Sequence, residues 1–284
     1  MDRIDLHVHT TASDGTETPT EVVQQAALLG LRAIAITDHD TVAGCREGAE
    51  AAARFGIELI PGLEISTKFH SAVHILGYCI DTDAPSLTEV MDWEIYDRDA
   101  RNERICALMA ADGLPVSYDM MRERFGVAIG RPHFAQLLTE FGLASSVADA
   151  FERYVGKGKK YYLARNFLSL EKSIETICEA GGVAVLAHPF QYKLDDAELR
   201  LLIEHSMEYG LRGMECRYTG YDADMVSYLE SLADEYGLIK TGGSDFHGRN
   251  KPQIALGSGT GGLNVPYEWL EKLKEAANEN TPSL

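Results

Sequence analysis

The chain has too few cysteines, in the wrong arrangement, for a disulfide framework. Cys45, Cys79, Cys106, Cys178 and Cys216 are scattered and odd in number, and no CxxC occurs. That pattern argues against disulfides and thiolate metal sites and fits reduced, buried thiols. Long apolar runs are also missing: nothing approaches the ~20 consecutive apolar residues of a membrane span. The first residues carry no basic segment followed by an apolar one, as a secretory signal would, so a cytoplasmic protein with no membrane association is expected. Positive charge is scarce: 26 lysines and arginines stand against 44 acids, a formal charge of −18. Such a surface repels long polyanions, which excludes a broad grip on duplex nucleic acid. A small anion can still bind where cations and a few arginines reverse the field locally. Internal repeats and low-complexity tracts are absent as well.

What is present is ample core material and a strict rhythm. An apolar fraction of 45% in 284 residues suits a single α/β barrel carrying an insertion. Residues 3–8 read as a short strand ending in His7-Val8-His9. Thr18-Pro19-Thr20-Glu21 supplies an N-cap, a proline at the first helical position and a capping-box glutamate. Further strands are expected at 31–37, 57–65 (interrupted at Pro61-Gly62), 73–80, 183–187, 211–216 and 238–242. Helices are expected at 43–55, 170–180, 195–209 and 222–236, with a last one from Tyr267. Strand and helix in alternation, with apolar strands, imply parallel strands covered by helices.

Residues 83–166 break this rhythm. Helices are expected at 87–111, 134–140 and 146–154, with no strong strand, so the segment reads as a helical insertion that caps the substrate, the barrel being residues 1–82 and 167–284. The insertion holds 11 of the 26 basic residues but 13 of the 44 acids, and from Arg122 to Asn166 there are 8 basic and 4 acidic residues. The least acidic stretch of the chain is therefore also the extra piece.

Nine potential metal ligands fall where strands end: His7 and His9, Asp14, His39, Glu64 with His74, His188, and Asp245 with His247. Residues two apart on a strand point to the same side, so His7 and His9 face one interior. His39 closes the second strand within Thr37-Asp38-His39-Asp40, where Asp38 or Asp40 can orient an imidazole or shuttle a proton. A carboxylate such as Glu64 has two oxygens and can bridge two cations. Pro189 stops the strand at His188, because proline cannot extend the ladder. Gly242 and Gly243 let backbone approach closely before Asp245 and His247. An open sheet gathers ligands only at its switch point, whereas a closed barrel gathers all its carboxyl ends at one mouth. A seven-stranded, TIM-like α/β barrel is therefore expected. Zinc takes about four ligands and manganese about six, so nine imply a multinuclear centre. His205, mid-helix, reads as surface or packing; His70 lacks a strand-end position.

The set Asp5-Leu6-His7-Val8-His9-Thr10, Ser13-Asp14-Gly15, Thr37-Asp38-His39-Asp40, Pro61-Gly62-Leu63-Glu64, His74, His188-Pro189 and Gly243-Ser244-Asp245-Phe246-His247 resembles the PHP (polymerase and histidinol phosphatase) family. The resemblance implies a distorted (β/α)7 barrel with a trinuclear site for phosphoester hydrolysis. It places His7, His9, Glu64 and Asp245 on one ion, Glu64, His74 and His188 on a second, and Asp14, His39 and His247 on a third. Gly130-Arg131-Pro132-His133-Phe134-Ala135, with Arg98, Arg101 and Arg104, looks like the TrpH-like stand-alone members, which act on 3′,5′-nucleoside bisphosphates and on the 5′ ends of short RNA.

Close cations clamp a phosphate and lower the pKa of a bridging water, which implies in-line attack by the resulting hydroxide. The leaving hydroxyl then takes a proton from His247, Asp245 or water. Arg131, His133 and Arg165 are expected phosphate contacts, since the arginine fork matches phosphate; Ser66 and Lys68 follow Glu64 toward the mouth. Tyr218 and Tyr221 are placed to stack on a base or to pack the rim. Lys157, Lys159 and Lys160 read as a solvated loop. The expected cofactors are three divalent ions, Mn²⁺ first with Fe²⁺ or Zn²⁺ as alternatives, because imidazole and carboxylate donors without thiolate suit these metals. The expected substrate is a 3′,5′-nucleoside bisphosphate cleaved to the 5′-monophosphate. Alternatives are a 5′–3′ exoribonuclease on short RNA, a histidinol-phosphatase-like enzyme, an amidohydrolase-type C–N hydrolase, and a metal-stabilised module without activity.

Overall fold

The structure, a computed structural model, describes residues 3–69, 72–126 and 129–280; His70 lies outside them. The chain divides into two compact units, Met1–Val90 with Phe167–Leu284, and Met91–Asn166. In chain order the first unit contains β1 (Arg3–Val8), α1 (Pro19–Leu28), β2 (Ala33–Ile36), α2 (Ala43–Phe55), β3 (Glu58–Lys68) and β4 (Ala72–Tyr78). Then α3 (Pro85–Ala111) leads into the second unit with α4 (Tyr118–Phe125), α5 (Arg131–Glu140) and α6 (Val147–Ala150). The first unit resumes with β5 (Leu168–Ser169), α7 (Leu170–Glu179), β6 (Val183–Leu186), α8 (Asp196–Glu208), β7 (Leu211–Tyr218), α9 (Ala223–Tyr236), β8 (Ile239–Gly243), β9 (Val265–Pro266) and α10 (Tyr267–Asn280). The first turns of α3, with Leu87 and Val90 buried, fall in the first unit. No helix among the described residues is long and apolar enough to cross a membrane.

Local chemistry sets the elements. Thr18 accepts from the Glu21 backbone N–H and the Glu21 carboxylate reaches back to the Thr18 N–H, closing the capping box. Gly56 ends α2 in the left-handed conformation at φ 70°, which glycine adopts without steric cost. The strands β2 and β6 are buried at every position, and β1 at all but its first. Strands covered on both faces carry continuous apolar runs.

The strand order is β8-β7-β6-β4-β3-β2-β1-β9, with β5 pairing β3 off this path. The segment after β8 returns to β1: the Asp245 N–H donates to His7 O at 2.8 Å and the His9 N–H to Phe246 O at 2.9 Å. The first and seventh strands of this order, β8 and β1, are thus brought together, giving a nearly closed barrel-shaped sheet in this unit. Two expectations need correction. The sheet is not wholly parallel: β4 runs antiparallel to both β3 and β6. The reason is connectivity, since three residues join β3 to β4 and a parallel crossover needs a dozen or more. Nor does Pro61-Gly62 interrupt β3. Pro61 is the last residue to pair with β2 and Gly62 the first to pair with β4, so the strand changes partner there without breaking.

The second unit has its own apolar core, including Ile105, Met109, Met121, Ile129, Phe134, Leu137, Leu138 and Val155. Its α4, absent from the sequence expectations, is capped by Ser117, which accepts from the Met120 N–H. The helix expected at 146–154 is a short α6 followed by one π turn, Phe151–Val155.

Candidate metal centre

All nine potential ligands belong to the first unit, and their donor atoms converge. The Val8 and Thr37 backbones are paired, and His39 forms a parallel bridge with Glu64, so adjacent strand ends deliver neighbouring side chains. Glu64 lies at the middle. Its Oε1 is 2.8 Å from His74 Nδ1 and 2.9 Å from His188 Nε2. Its Oε2 is 3.4 Å from His7 Nε2, 3.3 Å from His9 Nε2 and 3.1 Å from His39 Nδ1. Asp245 Oδ1 is 3.3 Å from His9 Nε2 and 3.6 Å from His7 Nε2. Asp14 Oδ1 is 3.3 Å from His247 Nε2 and 3.7 Å from His9 Nδ1. Four groups have donor atoms all within 4.8 Å of one another: His9 with Asp14, His39 and His247; His7 with His9 and Asp245; His7 with Glu64 and His188; and His39 with Glu64 and His74.

Two features of this cluster suit divalent cations. The nitrogens His7 Nε2 and His9 Nε2 face each other at 3.1 Å, and lone pairs aimed at one point need a proton or a cation between them. In addition, His9 Nδ1, His39 Nδ1, His188 Nδ1 and Glu64 Oε2 are buried without a hydrogen-bond partner, although buried polar atoms are normally satisfied. The donors are imidazole and carboxylate, with no cysteine among the groups, a set that accepts Mn²⁺, Fe²⁺ or Zn²⁺.

Electrostatics keeps the acids charged. Burial opposes ionisation of Glu64, but His39, His74 and His7 hold its carboxyl well below the usual range. Burial likewise opposes ionisation of Asp14, and His39, His247 and His9 outweigh it; for Asp245 a hydrogen bond from His9, then His7 and Lys251, do the same. Burial lowers the pKa of His39 to about 4 despite Glu64 and Asp14, which leaves a neutral imidazole, the form that ligates metals. At His9, burial is overcome by the facing carboxylates of Asp245 and Glu64, and its pKa rises to about 9.

Strain lies at and beside the cluster. Asp40, His188 and Asp245 take positive φ of 53°, 24° and 58°, a conformation that costs non-glycine residues about 1–3 kcal/mol and clusters at functional sites. Gly243 presses on His7: a Cβ there would lie 2.3 Å from His7 Cβ and 2.4 Å from His7 N. Gly243→Ala is expected to lower stability by about 1–3 kcal/mol through overpacking and to displace His7. Thermal unfolding checks this, and a wild-type Tm would contradict it.

Residues outside the nine support them. Asp5, fully buried, accepts from the Ser244 and Gly257 N–H groups at 2.8 and 2.7 Å and ties β1 to the loops that follow β8. Asp38 does not orient an imidazole. It accepts from the Thr10 N–H, Thr10 Oγ1 and Ser13 Oγ, bracing the loop that carries Asp14. Asp40 Oδ1 accepts from the Ser66 N–H at 2.7 Å, so buried Ser66 braces the loop that carries His39; Lys68 is exposed at the end of β3. Tyr218 Oη and Lys251 Nζ each donate to Asp245 Oδ2 at 2.6 Å, while Tyr221 Oη accepts from the Phe190 N–H. His205 pairs with Glu171 at 2.7 Å, a packing role. No spacing motif in the sequence marks Lys251.

The remaining expected contacts lie in the second unit. Arg131 opens α5 with its guanidinium 5.6 Å from the Tyr162 ring centroid. His133 Nδ1 accepts from the Gly130 N–H at 2.9 Å, capping the same helix. Arg165 pairs with the fully buried Glu94. Lys157, Lys159 and Lys160 are exposed, Lys160 pairing with Asp112 at 2.7 Å.

A family model described as "PHP domain" matches residues 5–198. A 5′-3′ exoribonuclease of Haemophilus influenzae is 37% identical over 246 residues, 86% of this chain and 90% of that protein. A 3′,5′-nucleoside bisphosphate phosphatase of Chromobacterium violaceum is 35% identical over 250 residues, 87% of this chain and 88% of that protein. A solved structure of a candidate metal-dependent phosphoesterase from Bifidobacterium adolescentis superposes with a TM-score of 0.83 at 32% identity, covering 97% of this chain and 96% of that one.

Proposed function

The chain belongs to the PHP domain family and is a metal-dependent phosphoric ester hydrolase, and we propose that it removes a phosphate from a nucleotide, its preferred substrate being a 3′,5′-nucleoside bisphosphate that yields the 5′-monophosphate. The observation that carries this proposal is the convergence of six imidazoles and three carboxylates, with five of the imidazoles within 3.4 Å of Glu64. Three ions are proposed, Mn²⁺ first, with Fe²⁺ or Zn²⁺ able to replace it. His7, His9, Glu64 and Asp245 would hold one, Glu64, His74 and His188 the second, and Asp14, His39 and His247 the third. When bound, such cations neutralise phosphate charge and make a water acidic near neutral pH.

The chain's own residues do the rest. Glu64 spans two groups of histidines, one through each oxygen, and so fixes their separation. Asp245 divides its oxygens: Oδ1 faces His7 and His9, while Oδ2 is held by Tyr218 Oη and Lys251 Nζ. Asp245 and His247 are proposed to manage the proton taken up by the leaving oxygen, with Tyr218 and Lys251 donating hydrogen bonds to the ionised Asp245.

Two charged ends on a small substrate suit a chain of −18 better than a long polyanion does. Arg131 and Arg165, with His133, are proposed to bind phosphate. Arg131→Ala should lower kcat/KM roughly 10- to 100-fold through the loss of a charge-assisted fork worth about 1.5–3 kcal/mol, mainly through KM. An unchanged kcat/KM would remove Arg131 from this role.

A second reading, 5′–3′ exoribonuclease action on short RNA, is favoured by the 37% identity to the Haemophilus influenzae exoribonuclease. The test is a phosphate-release screen of the metal-loaded protein with nucleoside bisphosphates, mononucleotides, 5′-phosphorylated short RNA, histidinol phosphate and an amide and lactam panel. Fastest release from the bisphosphate supports the proposal. Mononucleotides appearing stepwise from RNA favour the exoribonuclease, and turnover of amides without phosphate release would overturn both.

A further inference from the structure

Glu215 is a fully buried acid outside the nine-residue cluster that touches two of its members. It sits on β7 between Met214 and Cys216, with no exposed surface. Its Oε1 lies 3.0 Å from His7 Nδ1. Its Oε2 accepts from the His188 N–H at 2.8 Å. One carboxylate therefore grips a ring on β1 and a backbone on the loop after β6. Both gripped residues face Glu64, His7 Nε2 at 3.4 Å and His188 Nε2 at 2.9 Å.

We propose that Glu215 is a positioning residue for the cation cluster, fixing the His7 tautomer and the His188 backbone together. A carboxylate oxygen can only accept, so the bond at Nδ1 makes that nitrogen the donor and leaves the Nε2 lone pair toward His9 and Glu64. Carboxylates behind metal-bound histidines orient the ring and raise its basicity. The second bond acts on geometry. His188 has φ 24° and ψ 64°, outside the common basins of a residue with a Cβ, and needs an outside hold to stay there. The Glu215 bond to the His188 N–H is such a hold. A buried carboxylate whose bonds are to one imidazole and one amide is costly on its own, and a cation beyond His7 would offset that cost. The side chain thus fits the loaded state better than the empty one.

This inference rests on the proposed metal centre, and the test separates the two. Mn²⁺ is titrated calorimetrically into chelator-stripped wild type, Glu215→Gln and Glu215→Ala, and the Tm of each stripped protein is recorded. A glutamine still accepts from one partner but turns an NH₂ toward the other. Glu215→Gln should lose about 10- to 100-fold in Mn²⁺ affinity, while its stripped form melts no lower than the stripped wild type, because an offset for burial is no longer needed. A residue that merely supports the fold would lower the stripped Tm and leave affinity unchanged, and that outcome overturns the inference. Wild type that binds no Mn²⁺ overturns the metal centre itself. A measurement on the unaltered protein covers variants that fail to fold: in the Zn²⁺-loaded wild type, ¹⁵N shifts should report His7 protonated at Nδ1. Protonation at Nε2 instead would overturn the assignment.

Discussion

Asp245→Asn and His39→Ala should each lower phosphate release from a nucleoside bisphosphate by more than about 100-fold, because supporting residues around a metal already cost 10- to 100-fold when lost and these two stand inside the cluster. The asparagine keeps the volume of Asp245 but removes the charge that Tyr218, Lys251, His7 and His9 all face. If its amide nitrogen turns toward His7 and His9, a donor replaces an acceptor at the point where a cation would lie. The His39 ring is about one-quarter exposed, so truncating it opens no sealed cavity and the fold should persist. Circular dichroism and Tm verify folding, and phosphate release reads activity. Near-normal turnover by either folded variant would contradict the assignment.

Chelation should silence the wild-type enzyme and also soften it. A ligand that binds only the native state stabilises it by RT ln(1 + [L]/Kd), about 2.7 kcal/mol at 100 times Kd, so stripping ions held at that excess removes at least this much. The carboxylates of Glu64, Asp14 and Asp245 are then left with the histidines and Lys251 to balance them. Dialysis against a chelator should abolish phosphate release and lower Tm, and Mn²⁺ should restore both. Activity that survives complete removal of metal would exclude this mechanism.

Much of the fold was legible because its physics is local. The capping box at Thr18, the glycine stop at Gly56 and the apolar runs of β2 and β6 are each written in a few adjacent residues. The candidate site was legible for a different reason: in a barrel, ligands far apart in sequence all follow strand ends, so His7, His39, Glu64 and His188 share one positional rule. What was hidden depends on partners. The antiparallel course of β4 follows from a three-residue link, a signal overridden by the expectation of strand–helix alternation. The two-residue strands β5 and β9 exist only through pairing with β3 and β1. Asp38 looked like an imidazole partner because it adjoins His39, yet folding turns it toward Thr10 and Ser13. An acid outside the nine that does meet a cluster imidazole, Glu215, lies 208 positions from His7. Its one sequence signal is an acid set between Met214 and Cys216 in β7.

The most direct measurement of the cation cluster is anomalous diffraction from crystals grown with Mn²⁺. Peaks should appear among His7, His9, Asp14, His39, Glu64, His74, His188, Asp245 and His247, with Glu64 shared between two of them. Density for ordered side chains at these nine positions with no anomalous peak between them, at saturating Mn²⁺, would contradict it.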